Sequence, residues 1–145
     1  MTHQEANMMN SCIFCKIARG EIPGLRICED DHALAFMDIA GDVDGHMLVI
    51  PKTHCISILD CASDELTHMM SMVKRVSNHL VDNCGYNGVD LLSACGEAAG
   101  QTMPHFHMHI IPRKHSDSLG GSGEWPFFPG AKEDIRAMYE RLRMQ

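Results

Sequence analysis

The hydrophobic positions of the chain fall into two periods. Short apolar runs bounded by turn residues mark Leu25–Glu29, Ala33–Asp38 and His46–Ile50 as strands. The first pair turns around Asp30 and Asp31, and Pro51 stops the third. Three short strands in succession predict an antiparallel meander. After them, Leu66, Met69, Met70, Val73, Val76 and Leu80 recur at helical spacing behind Ser63, a residue type suited to the N-cap, and the acidic Asp64 and Glu65. This predicts the main helix. Val89–Ala94 and His105–Ile111 read as further strands, separated by the small-residue loop Gly96–Gly100. Beyond a Gly/Ser-rich connection at Ser118–Glu124, Ile135, Met138, Tyr139 and Leu142 form the stripe of a short amphipathic helix, expected to pack on the body or on a partner chain. One main helix against about five antiparallel strands predicts an α+β fold.

A length of 145 residues closes a single hydrophobic core, which excludes a two-domain enzyme. Hydrophobic residues at 45% and charged residues at 21% exclude a disordered or fibrous chain. The net charge of −7, with no block of like charges, argues against nucleic-acid binding by bulk charge. Any phosphate bound here has to be held by imidazoles, hydroxyls and backbone N–H groups, because the overall field repels anions. The N-terminus lacks a cationic start followed by an apolar run, and no segment has bilayer-spanning length, so a soluble cytoplasmic protein without a membrane partner is expected. Seven cysteines, an odd number spread through the chain, point to reduced thiols, some of them metal ligands, rather than a disulfide framework.

The stretch His105-Phe106-His107-Met108-His109 carries the most chemistry. On a strand it places three imidazoles on one face and Phe106, Met108 and Ile110 on the other, with successive rings about 6.6–6.8 Å apart. Rings so spaced could line a cleft of phosphate length. They could instead fill polar positions on a half-solvated strand, or bind a catalytic zinc with an open coordination position. Cys12-x-x-Cys15 supplies two further soft ligands, too few alone for a closed tetrahedral site.

The stretch Ala98–Arg113, in which Gly100-Gln-Thr-Met-Pro104 leads into the alternating histidines, resembles the signature of the histidine triad (HIT) superfamily of nucleotide-binding hydrolases and transferases. Blocks at Cys12–Ile17, Gly20–Pro23, Glu29–Asp31, Leu34–Ile39 and Gly45–His54 extend the likeness in the same order. The chain is most similar to the small Hint-like branch, whose members resemble purine nucleoside phosphoramidases and usually form homodimers. The resemblance implies the HIT fold, with a short N-terminal helix and a C-terminal helix added to the sheet and main helix. It also implies a division into a flexible 1–10, a HIT domain over 11–115, and a linker with the C-terminal helix over 116–145.

The same resemblance implies roles. His107 would attack the α-phosphorus of a purine nucleotide and form a nucleotidyl-histidine. His109 and Gln101 would hold phosphate oxygens, Thr102 would help protonate the leaving group, and His46 would face the same cleft. Asp38 would accept from the ribose hydroxyls, between apolar walls made by Ile13, Phe14, Ile17, Phe36 and Ile39. Cys12, Cys15, His54 and His105 would hold a structural zinc. Relatives carry Asn residues where this chain has Ala94 and Cys95, which keeps open a non-catalytic nucleotide-binding or scaffold protein, or a dinucleoside polyphosphate hydrolase.

Overall fold

Ala33–Met37 and Met47–Pro51 are buried at every position, so both faces of these strands must be covered. The computed structural model describes residues 10–117 and 130–144. It contains a helix α1 (Ile13–Ala18), strands β1 (Arg26–Glu29), β2 (Ala33–Met37) and β3 (Met47–Pro51), a long helix α2 (Ser63–Asn83), strands β4 (Gly88–Leu92) and β5 (Met108–Arg113), and a tail helix α3 (Ile135–Leu142). The strands form one antiparallel sheet in the order β1-β2-β3-β5-β4. The α+β fold and the initial meander therefore stand as expected, with β5 inserted between β3 and β4. The N-terminal residues 1–9 and the Ser118–Glu124 connection lie outside the described residues.

The pleat divides the core in two. Ala33, Ala35, Met37, Met47, Val49, Phe106 and Ile110 face α2, which contributes Met69, Met72, Val73, Val76 and Leu80. Leu34, Phe36, Leu48 and Ile50 face the other way and pack against Phe14, Cys15 and Ile17 of α1. Helix α1 thus covers part of the second face and leaves the rest open for a cavity.

Three local expectations change. Ser63 is the first helical residue rather than the N-cap; Ala62 occupies that position without a side-chain bond, and Asp64 and Glu65 supply the charge that favours this terminus. Met70 is exposed and Met72 takes its place in the core, as a 3.6-residue period through Met69, Val73 and Val76 requires. Strand β5 begins at Met108 instead of His105, because Pro51 has no N–H to donate and its carbonyl accepts from the His105 ring at 2.9 Å. The Phe106 N–H meanwhile donates to the Cys55 carbonyl at 2.8 Å, outside the ladder.

The tail helix packs on its own chain. Met138 and Leu142 are buried in the α2-side core, the His79 ring donates to the Leu142 carbonyl at 2.7 Å, and the Asp44 carboxylate accepts from the Lys132 and Glu133 N–H groups at 2.9 Å each. Gly45 sits where this tail, Pro112 and the segment leading to His46 converge. Its φ is +81°, and a Cβ there would lie 2.5 Å from Pro112 Cγ, so the approach needs glycine.

Candidate active site

The alternating histidines do not share one environment. His105 is fully buried and turns away from the cavity that His107 and His109 line. Its Nε2 donates to the Pro51 carbonyl, so its Nδ1 lone pair points at Cys12 Sγ, 3.3 Å away, and Cys15 Sγ, 3.5 Å away. His54 Nδ1 lies 3.2 Å from Cys15 Sγ, and the four ligand atoms all lie within 4.8 Å of one another. The sequence expectation of three rings along one cleft thus becomes two rings in a cleft and one beside the thiols, because the Pro51 carbonyl captures the first.

Zinc bonds of about 2.0–2.3 Å would set the corners of a tetrahedron about 3.3–3.8 Å apart. The observed sulfur–nitrogen separations lie at or just under that range. Burial pushes the Cys15 thiol up to about 12, reinforced by the neighbouring Cys12 thiol, and lowers both His54 and His105, the latter to about 4. A protonated Cys15 thiol and the Cys12 sulfur beside two neutral imidazoles are a set that a soft divalent cation would satisfy by displacing the Cys15 proton. The donor set fits zinc.

His107 donates from Nδ1 to the carbonyl of His105 at 2.7 Å. A carbonyl only accepts, so Nδ1 carries a proton, and in the neutral ring the lone pair is on Nε2. The ring stands edge-on to Phe14 and His109, with centroids 5.3 and 5.0 Å away, and the Ser93 hydroxyl donates to the His107 carbonyl at 2.6 Å. Cys95, at one of the positions where the resemblance leads to the expectation of Asn, bonds back to Ser93 at 3.5 Å.

The cavity has a volume of about 610 Å³, a size suited to a nucleotide-scale ligand. Ile13, Phe14, Ile17, Phe36, Asp38, Ile39 and Thr102 all line it. Ile39 is 81% exposed and Ile13 49%, so the cavity carries exposed apolar surface. His46 lies just behind the wall, its Nδ1 donating to Asp42 at 2.8 Å and its Nε2 2.8 Å from His109 Nδ1. Gln101 is committed elsewhere. Its carbonyl accepts from Gly96 N–H at 2.8 Å, and its amide donates to the Ile56 and Met103 carbonyls at 2.6 and 2.9 Å, which braces the loop before the histidines.

Sequence reasoning missed three contributors. Asp42 orients His46, and its i,i+4 spacing inside a Gly/Asp loop was the available signal. Arg136 and Tyr139 reach the cavity from α3, and only the tertiary docking of the tail puts them there.

Burial, followed by the neighbouring His46 and His107 rings, holds His109 at about 4, well below the ordinary 6.5. A depressed imidazole is neutral in the fold but takes up a proton on unfolding once the pH drops below its ordinary value. His109 and His105 thus add stability that is fully present above about pH 6.5 and lost as the pH falls toward about 4. The urea midpoint should fall over that window, and a midpoint flat from neutrality to about pH 4 would contradict the burial of these rings.

The chain matches the HIT domain family over residues 19–116. It is 36% identical over 132 residues to adenosine 5'-monophosphoramidase hnt1 of Schizosaccharomyces pombe, covering 91% of this chain and 96% of the relative. Adenylylsulfatase HINT3 of Arabidopsis thaliana is 40% identical over 119 residues, with 82% of this chain and 60% of the relative covered. A crystal structure of a Zn-bound histidine triad family protein from Mycobacterium smegmatis superposes with a TM-score of 0.80 at 31% identity, over 93% of this chain and 92% of that one. The chain belongs to the HIT domain family and resembles its Hint-like members.

Proposed function

We propose that the chain hydrolyses a purine nucleotide at its α-phosphate, with a phosphoramidate as the substrate type, through a nucleotidyl-histidine on His107. The observation that carries this reading is the bond from His107 Nδ1 to the His105 carbonyl, which commits that nitrogen and leaves Nε2 as the nitrogen available for attack from a ring that lines the cavity. In the first step Nε2 forms a bond to phosphorus while the bond from phosphorus to the amine breaks, and the amine leaves with a proton that the Thr102 hydroxyl helps deliver. In the second step water attacks the same phosphorus and gives up a proton, which replaces the one delivered to the amine, while the bond to Nε2 breaks and the nucleoside monophosphate is released. His109 stabilises the phosphate oxygens, and Gln101 contributes through the loop its amide braces. Asp38 takes the ribose hydroxyls, and Ile13, Phe14, Ile17, Phe36 and Ile39 flank the base.

Cys12, Cys15, His54 and His105 would hold zinc, which supplies a cross-link between the N-terminal helix and the strand entrance, with no open position for chemistry. All seven cysteines are free, and no described helix is long and apolar enough to cross a membrane, which supports a reducing cytoplasmic setting.

Incubation with an adenosine phosphoramidate, followed by intact-mass measurement, should show an acid-labile nucleotidyl adduct. The absence of amide donors at Ala94 and Cys95 favours one rival, a nucleotide-binding protein without turnover. Tight AMP binding with no adduct and no product would establish that rival, and turnover of a diadenosine polyphosphate alone would redefine the leaving group.

This reading includes a homodimer. Exposed Met70 and Val81 on α2 and Leu91 on the edge strand β4 offer apolar surface for it. Light scattering at micromolar concentration should give twice the 16.1 kDa chain mass, and a monomer at all concentrations would overturn the dimer.

A further inference from the structure

We propose that Asp38, His46 and His109 form a second divalent-cation site, of zinc type, whose occupation closes the nucleotide cavity. The ligand atoms of the three residues lie within 4.8 Å of one another. His46 Nε2 is 2.8 Å from His109 Nδ1 and 3.5 Å from Asp38 Oδ2. Two imidazole nitrogens and one carboxylate oxygen at this spacing make the three-ligand set that binds zinc and keeps a fourth position open.

Each ligand is aimed by a separate partner. Asp38 Oδ1 accepts from the Ala40 N–H at 2.8 Å, which leaves Oδ2 toward the histidines. His46 donates from Nδ1 to Asp42 at 2.8 Å, so its Nε2 faces Asp38 and His109. A carboxylate behind a ligating imidazole is the outer support that orients such rings and raises their basicity at metal centres. His109 is fixed by its place in β5, opposite Leu48 of β3 and Leu92 of β4. The 2.8 Å separation of the two ring nitrogens is a distance for one shared proton, and a tetrahedral zinc in that place would part them by about half an ångström.

This site is distinct from the thiol cluster and draws on none of its ligands. It overlaps the nucleotide cavity, because Asp38 and His109 both line it. On the proposed function those two groups bind ribose and phosphate, so a cation held there excludes the substrate. The inhibitory consequence rests on that reading, whereas the cation site itself does not.

Cobalt(II) separates the two sites. The first equivalent should give the near-ultraviolet charge-transfer absorbance of thiolate ligation. The second should add ligand-field absorbance with no further charge transfer. Elemental analysis after equilibration with micromolar free zinc should give two ions per chain. Asp42→Asn, which keeps the side chain's shape, should weaken only the second ion by about 10–100-fold. Asp38→Asn should remove it, with the first-site cobalt band unchanged as proof of folding. The second equivalent of zinc should raise the apparent Kd of AMP by about tenfold or more through competition.

A single bound ion per chain would overturn the site, as would a second ion retained at full affinity in Asp38→Asn. If the one-zinc protein fails to bind AMP, the nucleotide reading falls, and the ion count still decides the site.

Discussion

Replacing His107 with glycine is expected to lower phosphoramidate turnover on the order of 10⁴-fold or more while leaving AMP affinity within a few-fold. The ring contributes the atom that bonds to phosphorus, and without it both half-reactions lose their shared intermediate. Ground-state binding stays with Asp38 and the apolar walls, which the substitution does not touch. A structural role for the ring predicts something else: the edge-on contact to Phe14 at 5.3 Å would be lost, and with it packing and nucleotide affinity together. Free imidazole distinguishes these further, since it can enter the vacated space and accept the nucleotidyl group, restoring part of the turnover. Near-parental turnover in the glycine variant would end the covalent reading.

Much of the fold was legible because local signals agreed. The apolar runs at Ala33–Met37 and Met47–Pro51, with turn residues between, define adjacent antiparallel strands, and their observed register pairs Leu34 with Ile50 and Phe36 with Leu48. What failed locally was decided by tertiary partners. His105 to His107 alternate as a strand would, yet the carbonyls of Pro51 and Cys55, far back in the chain, take their hydrogen-bonding capacity.

The site followed the same division. Cys12 and Cys15 declare themselves by spacing, but their partners His105 and His54 stand 93 and 39 residues away, and family resemblance supplied them before the structure brought them together. Arg136 and Tyr139 had no local signal at all, because a tail helix carries no mark of the surface on which it will dock. Gln101 was assigned to phosphate oxygens by resemblance alone, and its side-chain amide bonds three backbone groups of the loop before the histidines.

The double replacement Cys12→Ser/Cys15→Ser should abolish binding at the thiol cluster and lower the Tm on the order of 10 °C in zinc-replete buffer. The ion binds the folded chain, where Cys12 Sγ and Cys15 Sγ meet His105 and His54, and in the unfolded chain those ligands are dispersed. Its binding free energy therefore adds to folding free energy. Zinc binds thiolates, and burial that pushes Cys15 up to about 12 means that the ion must displace its proton. Affinity should consequently rise with pH, with protons released on binding, and the serine variant should show neither effect. Turnover should fall less than stability. His107 is not a ligand of this cluster, and its tautomer is set by the His105 carbonyl, so loss of zinc acts on it only through loosening of that backbone. A zinc ion that activated water would give the reverse order, with turnover vanishing on chelation before any change in Tm. Retention of the thiol-cluster ion by the serine variant, or an unchanged Tm after its loss, would refute the structural role assigned to these four residues.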